Sequence, residues 1–217
     1  VYKRQIHIML KFLNANQKGS LKKLKLILEM RKLKQKNQSI TVKKIVNNVK
    51  KYGDKAVIRY EKKFLKVKSR PKNIKFSKQE IDRLSKKVDK KLKKSIDIAY
   101  SRIKIFHSKQ KFYNFKYRDK YKNELSYRYS PIERIGVYVP GGTASYPSTV
   151  LMNCIPALVA GVKNIYLTTP ALGKTINPAI IYAAKKCGVR EIYKTGGAHS
   201  IAAFTFGTKT FKKVNKI

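Results

Sequence analysis

The sequence predicts an α/β protein: a parallel sheet built from βαβ units, preceded by a helical amino-terminal region. Three observations predict it. From Ile135 onward, short β-branched and aromatic runs alternate with longer apolar runs, the rhythm of strands and crossover helices. Upstream of Lys111, apolar residues recur at three- and four-residue spacing instead, the period of helices with one apolar stripe. Two of the short runs also end in paired glycines, Pro140-Gly141-Gly142 and Thr195-Gly196-Gly197, where a strand hands over to a helix.

Residues 1–19 form an unassigned start, non-native or disordered in character. The chain begins at Val1 rather than Met and ends at Ile217 inside a strand-like run, so it reads as a piece of a longer chain. Residues 20–129 then form the helical region. Leu21, Leu24 and Leu28 mark one side of a helix over 20–36 with Ser20 at its N-cap. Val42, Ile45, Val46 and Val49 mark a second over 41–51, closed by Gly53. A third runs from Asp54 to Phe64, and 69–73 is a loop around Pro71. Ser77 with Glu80 three residues on is a capping-box pattern, opening a helix with the stripe Ile81, Leu84, Val88 and Leu92. Helix continues over 93–110, burying Ile96, Ala99, Tyr100, Ile103 and Phe106. Tyrosine and lysine alternate between Lys111 and Tyr129, which predicts a hairpin with one face packed on a domain. Aromatics interleaved with lysines also suit stacking on nucleotides.

Residues 130–217 form the second domain. Strands are predicted at Ile135–Val139, Val162–Thr168 and Arg190–Lys194, with another starting at Val214. The helices between them are Ser148–Ala160, capped at its start, then Pro178–Lys186 and Ala198–Phe206.

The net charge of +41 invites a nucleic-acid reading, but its distribution argues for a solvated lysine-rich surface. Residues 135–217 hold ten Lys or Arg and one acid, Glu191, so the first 134 residues carry a net +32. Lysine excess beside abundant Asn, Ile and Tyr is also what an AT-rich coding sequence produces. A basic nucleic-acid-binding α/β protein stays as the alternative of another class. Cys154 and Cys187 have no CxxC spacing and sit in apolar helical runs, as buried reduced thiols would. No apolar run reaches the roughly 18–20 residues that span a bilayer. Ile6–Leu13 is short, broken by Lys11, and followed by no small-residue cleavage site. A cytoplasmic chain with no membrane partner fits.

Ligands of open α/β sheets sit at the carboxyl ends of the strands, near a switch in strand order. Two glycine turns side by side would line a crevice with N–H groups suited to a dinucleotide. Neither turn is GxGxxG, and plain tight βα turns explain the glycines equally well. Tyr138, at the end of the first strand, either stacks on a ring or packs in the strand. His199 follows the second glycine turn at a helix N-terminus, where it either reaches the crevice or faces solvent. The positive helix end disfavours its protonation, so it reads as a neutral hydrogen-bonding group. His7 and His107 have no partners at metal-ligand spacing. No catalytic triad, carboxylate pair or metal cluster assembles from this chain.

Long blocks resemble the histidinol dehydrogenase family: RIGVYVPGGTASYPSTVLMNCIPALVAGVKNI (134–165), NPAIIYAAKKCGVREIYKTGGAHSIAAFTFGT (177–208) and VNKI (214–217). KYGDKAVIRYEKKF (51–64) and RIKIFHSKQ (102–110) resemble its helical amino-terminal region. The resemblance implies Rossmann-like domains in a zinc-dependent homodimer that oxidises L-histidinol to L-histidine through the aldehyde, with two hydride transfers to NAD. It implies NAD contacts from Tyr138 and from position 199, where the family's GGAQAIAA block has Gln. His199 departs from that block, and Ser200 replaces its alanine. The resemblance places a GPGN block directly after Ile217, with the zinc ligands and the Glu-His base further on, so no catalytic or metal residue is assigned here. Related enzymes that oxidise other small alcohols, such as sulfonated diols, share these amino-terminal blocks.

Overall fold

A computed structural model describes residues 13, 14, 16–65, 71–110, 112–141, 146–171 and 176–217. The expectations placed on residues 1–12, on Gly142 and on parts of the 69–73 and 170–177 loops lie outside the described residues. The chain divides into two compact units, Val1–Asn47 and Asn48–Ile217.

The first unit holds most of α1 (Ser20–Tyr52), a single helix where the apolar spacing predicts two. Residues 37–40 are polar or β-branched but include no proline or glycine, so nothing stops the helix before Gly53. There φ is +53° and the Gly53 N–H returns to the Val49 carbonyl at 2.8 Å. Leu21, Leu24 and Leu28 are all exposed, so their stripe is not a core face. Among the described residues of this unit, α1 meets no second apolar surface to close on.

In the second unit α2 (Asp54–Leu65) and the one-turn α3 (Pro71–Ile74) precede α4 (Lys78–Lys86) and α5 (Lys90–Ser108). The Ser77–Glu80 capping box forms, with the Glu80 N–H donating to Ser77 Oγ at 3.1 Å and the Ser77 N–H to Glu80 Oε2 at 2.9 Å. The stripe from Ile81 to Leu92 is not one helix. Asp89 breaks it by capping α5, accepting the Leu92 N–H at 2.8 Å, because a short carboxylate competes well for orphan N–H groups. Ile96 is buried, and Ala99, Tyr100 and Ile103 are partly so. Phe106 was expected inside but is 62% exposed, its ring meeting His107 edge-on at 5.3 Å.

A hairpin follows, β1 (Phe115–Arg118) antiparallel to β2 (Glu124–Tyr127). All eight strand residues are exposed, so the predicted packed face is absent. Its aromatics cover one another instead: Phe115 stacks on Tyr127 at 5.3 Å, and Phe112 on Tyr129 at 4.9 Å. Asp119 Oδ1 closes the turn, accepting the Tyr121 and Asn123 N–H groups at 2.8 Å.

The parallel sheet comprises β3 (Arg134–Tyr138), β4 (Asn164–Thr168) and β5 (Glu191–Tyr193), joined by α6 (Pro147–Val159) and α7 (Pro178–Lys186) and followed by α8 (Ala198–Phe206). Helix α6 starts at Pro147 with no side-chain cap, so Ser148 and Thr149 lie inside it. Asn177 does cap α7, accepting the Ala179 N–H at 2.8 Å. Register pairs Tyr138 with Thr168 and Thr168 with Tyr193. Both flanks are extended. Lys216 bridges Ile135 in parallel, its carbonyl taking the Gly136 N–H at 2.9 Å, and Lys75 bridges Tyr193 antiparallel. The chain thus steps from β3 to β4 to β5 and then returns to the other side of β3. Strand order reverses at β3.

Alternation along the strands separates two faces. Val137, Ile165, Leu167 and Ile192 pack with Ile155, Ile181 and Ile96 in one core cluster. On the opposite face Gly136 admits Phe204 of α8, for a Cβ there would stand 2.9 Å from the ring. Tyr193, Phe204 and Phe211 form the aromatic cluster on that side, with ring centroids 4.3 to 5.5 Å apart. Among the described residues no helix is long and apolar enough to cross a membrane.

Candidate functional site

The carboxyl ends of β3, β4 and β5 converge on Pro170, two residues past the end of the central strand. A Cβ on Gly141 would stand 2.4 Å from the Pro170 ring, and one on Gly196 would stand 2.5 Å from it. Both glycines therefore make room for a proline wedged between the two turns. Gly197 is different. Its φ of +76° lies where a side chain is strained. Beneath Pro170, Thr168 Oγ1 donates to the Thr195 carbonyl at 2.7 Å and lies 2.9 Å from Thr195 Oγ1, all fully buried.

The N–H groups of the second turn do not point into an empty crevice. The Gly196 N–H donates to Glu61 Oε1 at 3.1 Å, and the Gly197 N–H to the Tyr138 hydroxyl oxygen at 3.2 Å. What the turn leaves for a ligand is the very start of α8, at Ala198 and His199, where the dipole favours an anion; the next N–H, of Ser200, already donates to the Gly197 carbonyl at 3.1 Å. Tyr138, on the Gly136 face at the end of β3, stands beside it at the strand-order switch.

His199 lies beneath the turn. It is 1% exposed, with Nε2 2.7 Å from Glu61 Oε1 and its ring flanked by Tyr60 and Phe64 at centroid distances of 5.9 and 6.2 Å. Tyr60 is itself held by Asn48, whose Nδ2 donates to its hydroxyl at 2.6 Å. Nδ1 of His199 is buried with no hydrogen-bond partner among the described residues. A Cβ on Gly197 would stand 3.5 Å from it. Tyr138 and His199 thus meet at one residue, Gly197.

Sequence reasoning missed Glu61 and Pro170. For Glu61 a signal existed: Val57, Tyr60, Glu61 and Phe64 share one helix face at i, i+3, i+4 and i+7, so an acid sits among apolar residues. Nothing local marks Pro170.

Glu80 and Lys194 flank the site at the β5 edge, 2.7 Å apart. Burial would raise the Glu80 carboxyl, but the Lys194 ammonium and the Ser77 N–H outweigh it and hold it below the usual carboxylate range. Cys154 and Cys187 are free and buried in the core, the thiol of Cys154 raised by its Cys187 neighbour and by burial. Among the described residues no group of three His, Cys, Asp or Glu side chains is placed to hold a metal ion.

A family model for histidinol dehydrogenase matches residues 28–217. The chain belongs to the histidinol dehydrogenase family. It is similar to the histidinol dehydrogenase of Pelagibacter ubique, with 50% identity over 96% of this chain and 48% of that one. Against the histidinol dehydrogenase of Carboxydothermus hydrogenoformans, identity is 45% over 81% of this chain and 41% of the other. The crystal structure of a histidinol dehydrogenase from Elizabethkingia anophelis superposes with a TM-score of 0.77 at 42% identity, covering 83% of this chain and 41% of that one. The chain spans about half or less of the length of these histidinol dehydrogenases.

Proposed function

We propose that this chain supplies part of the NAD-binding half of an enzyme that oxidises L-histidinol to L-histidine through the aldehyde. The observation that carries this reading is the strand-order reversal at β3, with Tyr138 at its carboxyl end joined to the turn that opens α8. Residues 130–217 are the Rossmann-like, cofactor-binding part and residues 20–129 the helical region before it. Tyr138 offers its ring and hydroxyl to the cofactor, and the start of α8 offers positive N–H groups to a phosphate. His199 serves the site from below, as the group that fixes the turn. NAD, when bound, accepts the hydride. The zinc ligands and the base of the intact enzyme are proposed to lie outside these residues, and no catalytic residue is assigned within them. A homodimer in the cytoplasm, with no nucleic-acid partner, completes the reading.

The test is turnover by the intact protein that carries this chain, followed as NADH formation with L-histidinol and, separately, with a sulfonated diol. Histidinol is expected to be oxidised and the diol not. Turnover of the diol alone would reassign the substrate, and failure of the intact protein to bind NAD would remove the reading altogether.

A further inference from the structure

The Glu61–His199 pair has no part in the NAD contacts proposed above, yet it is a pair of ionisable side chains buried close to them. Its side chains are 1% and 2% exposed. Burying two ionisable groups is costly unless their hydrogen-bonding capacity is used. Here one oxygen, Glu61 Oε1, accepts the Gly196 N–H at 3.1 Å and lies 2.7 Å from His199 Nε2. Both of these partners belong to the turn and first helical residues behind β5, whereas Glu61 belongs to α2. An ionised Glu61 accepts only, and the arrangement then places a His199 proton on Nε2, with the rings of Tyr60 and Phe64 alongside the imidazole.

We propose that Glu61 is the positioning residue of the second glycine turn. By holding Gly196 and the His199 ring together it sets the backbone of Gly197, so that the Gly197 N–H meets Tyr138 and the start of α8 faces the switch point. The carboxylate also occupies the Gly196 N–H, so a dinucleotide phosphate is taken by the first turn of α8 rather than by Gly196. This rests on the NAD reading, which Glu61 supports without touching the cofactor.

The test uses the intact protein with Glu61→Ala, Glu61→Gln and His199→Gln, NAD titration, and long-range ¹H–¹⁵N correlation spectra of His199 with the Gly196 and Gly197 amide shifts. Glu61→Ala is expected to weaken NAD about tenfold, the loss of a buried charge-assisted contact. Glu61→Gln keeps an acceptor oxygen and His199→Gln keeps a donor nitrogen, so both are expected to stay within about threefold of the parent. In the parent spectrum His199 carries a proton on Nε2, and in Glu61→Ala the Gly196 and Gly197 amides move. If Glu61→Ala fails to fold, the Nε2 assignment in the parent and the rescue by Glu61→Gln still decide. Unchanged affinity and unmoved amides in folded Glu61→Ala, or an unprotonated Nε2 in the parent, would overturn the proposal. A parent that binds no NAD while the amides still move would sink the NAD reading alone and leave Glu61 as the turn's anchor.

Discussion

The carboxyl edge of the parallel sheet and the β1–β2 hairpin are both built from short strands that carry aromatic side chains and are closed by turns, and they end in opposite environments. Tyr193, at the sheet edge, is fully buried and packed between Phe204 and Phe211, and Thr168, Thr195 and Pro170 around it are fixed by contacts from other elements. In the hairpin Phe115, Tyr117, Leu125 and Tyr127 stay in water and touch mainly each other. Strand-forming tendency is thus shared, and burial is not. A strand is buried when a second layer covers it, and whether such a layer exists is a property of the fold and not of the strand.

The same truncation made in each region should expose the contrast most strongly. Tyr193→Ala removes a fully buried ring and is expected to cost about 3–5 kcal/mol, whereas Tyr127→Ala in the hairpin should cost less than about 1 kcal/mol. Denaturant midpoints of the two variants measure this, and equal losses would mean that the hairpin is buried in solution. A smaller effect isolates the wedge at the sheet edge. Gly196→Ala drives a methyl to 2.5 Å from the Pro170 ring and is expected to cost about 1–3 kcal/mol through overpacking. Gly196→Ala paired with Pro170→Ala should recover part of that loss in thermal melting; no recovery would place the strain elsewhere.

The smallest expected effect comes from acid. Lys186, then Tyr182, hold the Asp97 carboxyl below its usual range, as Lys194 does Glu80. A folded-state carboxyl held low stabilises the fold above the unfolded carboxylate pKa and loses that contribution as pH falls through the folded value. The melting temperature is therefore expected to hold from pH 7 to about 5 and to fall below about pH 4. Asp97→Asn should flatten part of that decline, by a small amount because the pair is about 40% exposed. An unchanged acid profile in that variant would assign the decline to other carboxylates.

Local chemistry carried the legible part of this protein. Ser77 with Glu80, Pro178 at the start of its helix, and Gly53 after Tyr52 each act within one helical turn, so the spacing read from the sequence is the geometry found. The strands of the parallel sheet were legible to within one or two residues, since an apolar run of that length between glycines has few other uses. Errors arose where a local signal had to be weighed against a distant one. The Ile81–Leu92 stripe is continuous in spacing, yet Asp89 breaks it, and the unbroken α1 shows the converse, a polar stretch with nothing to end the helix.

At the candidate site the division is sharper. Paired glycines after two strands, Tyr138 at the end of one and His199 behind the other were fixed by sequence order alone, because a βα unit always brings its strand end and helix start together. The partners were not. Glu61 reaches Gly196 across 135 residues and His199 across 138, and Pro170 enters between two turns that are 55 residues apart in the chain. Such meetings depend on which helix covers which face and how closely the strands pack. No local propensity encodes that, so tertiary structure alone decided that the glycines make room for a proline and that the histidine answers to a buried carboxylate.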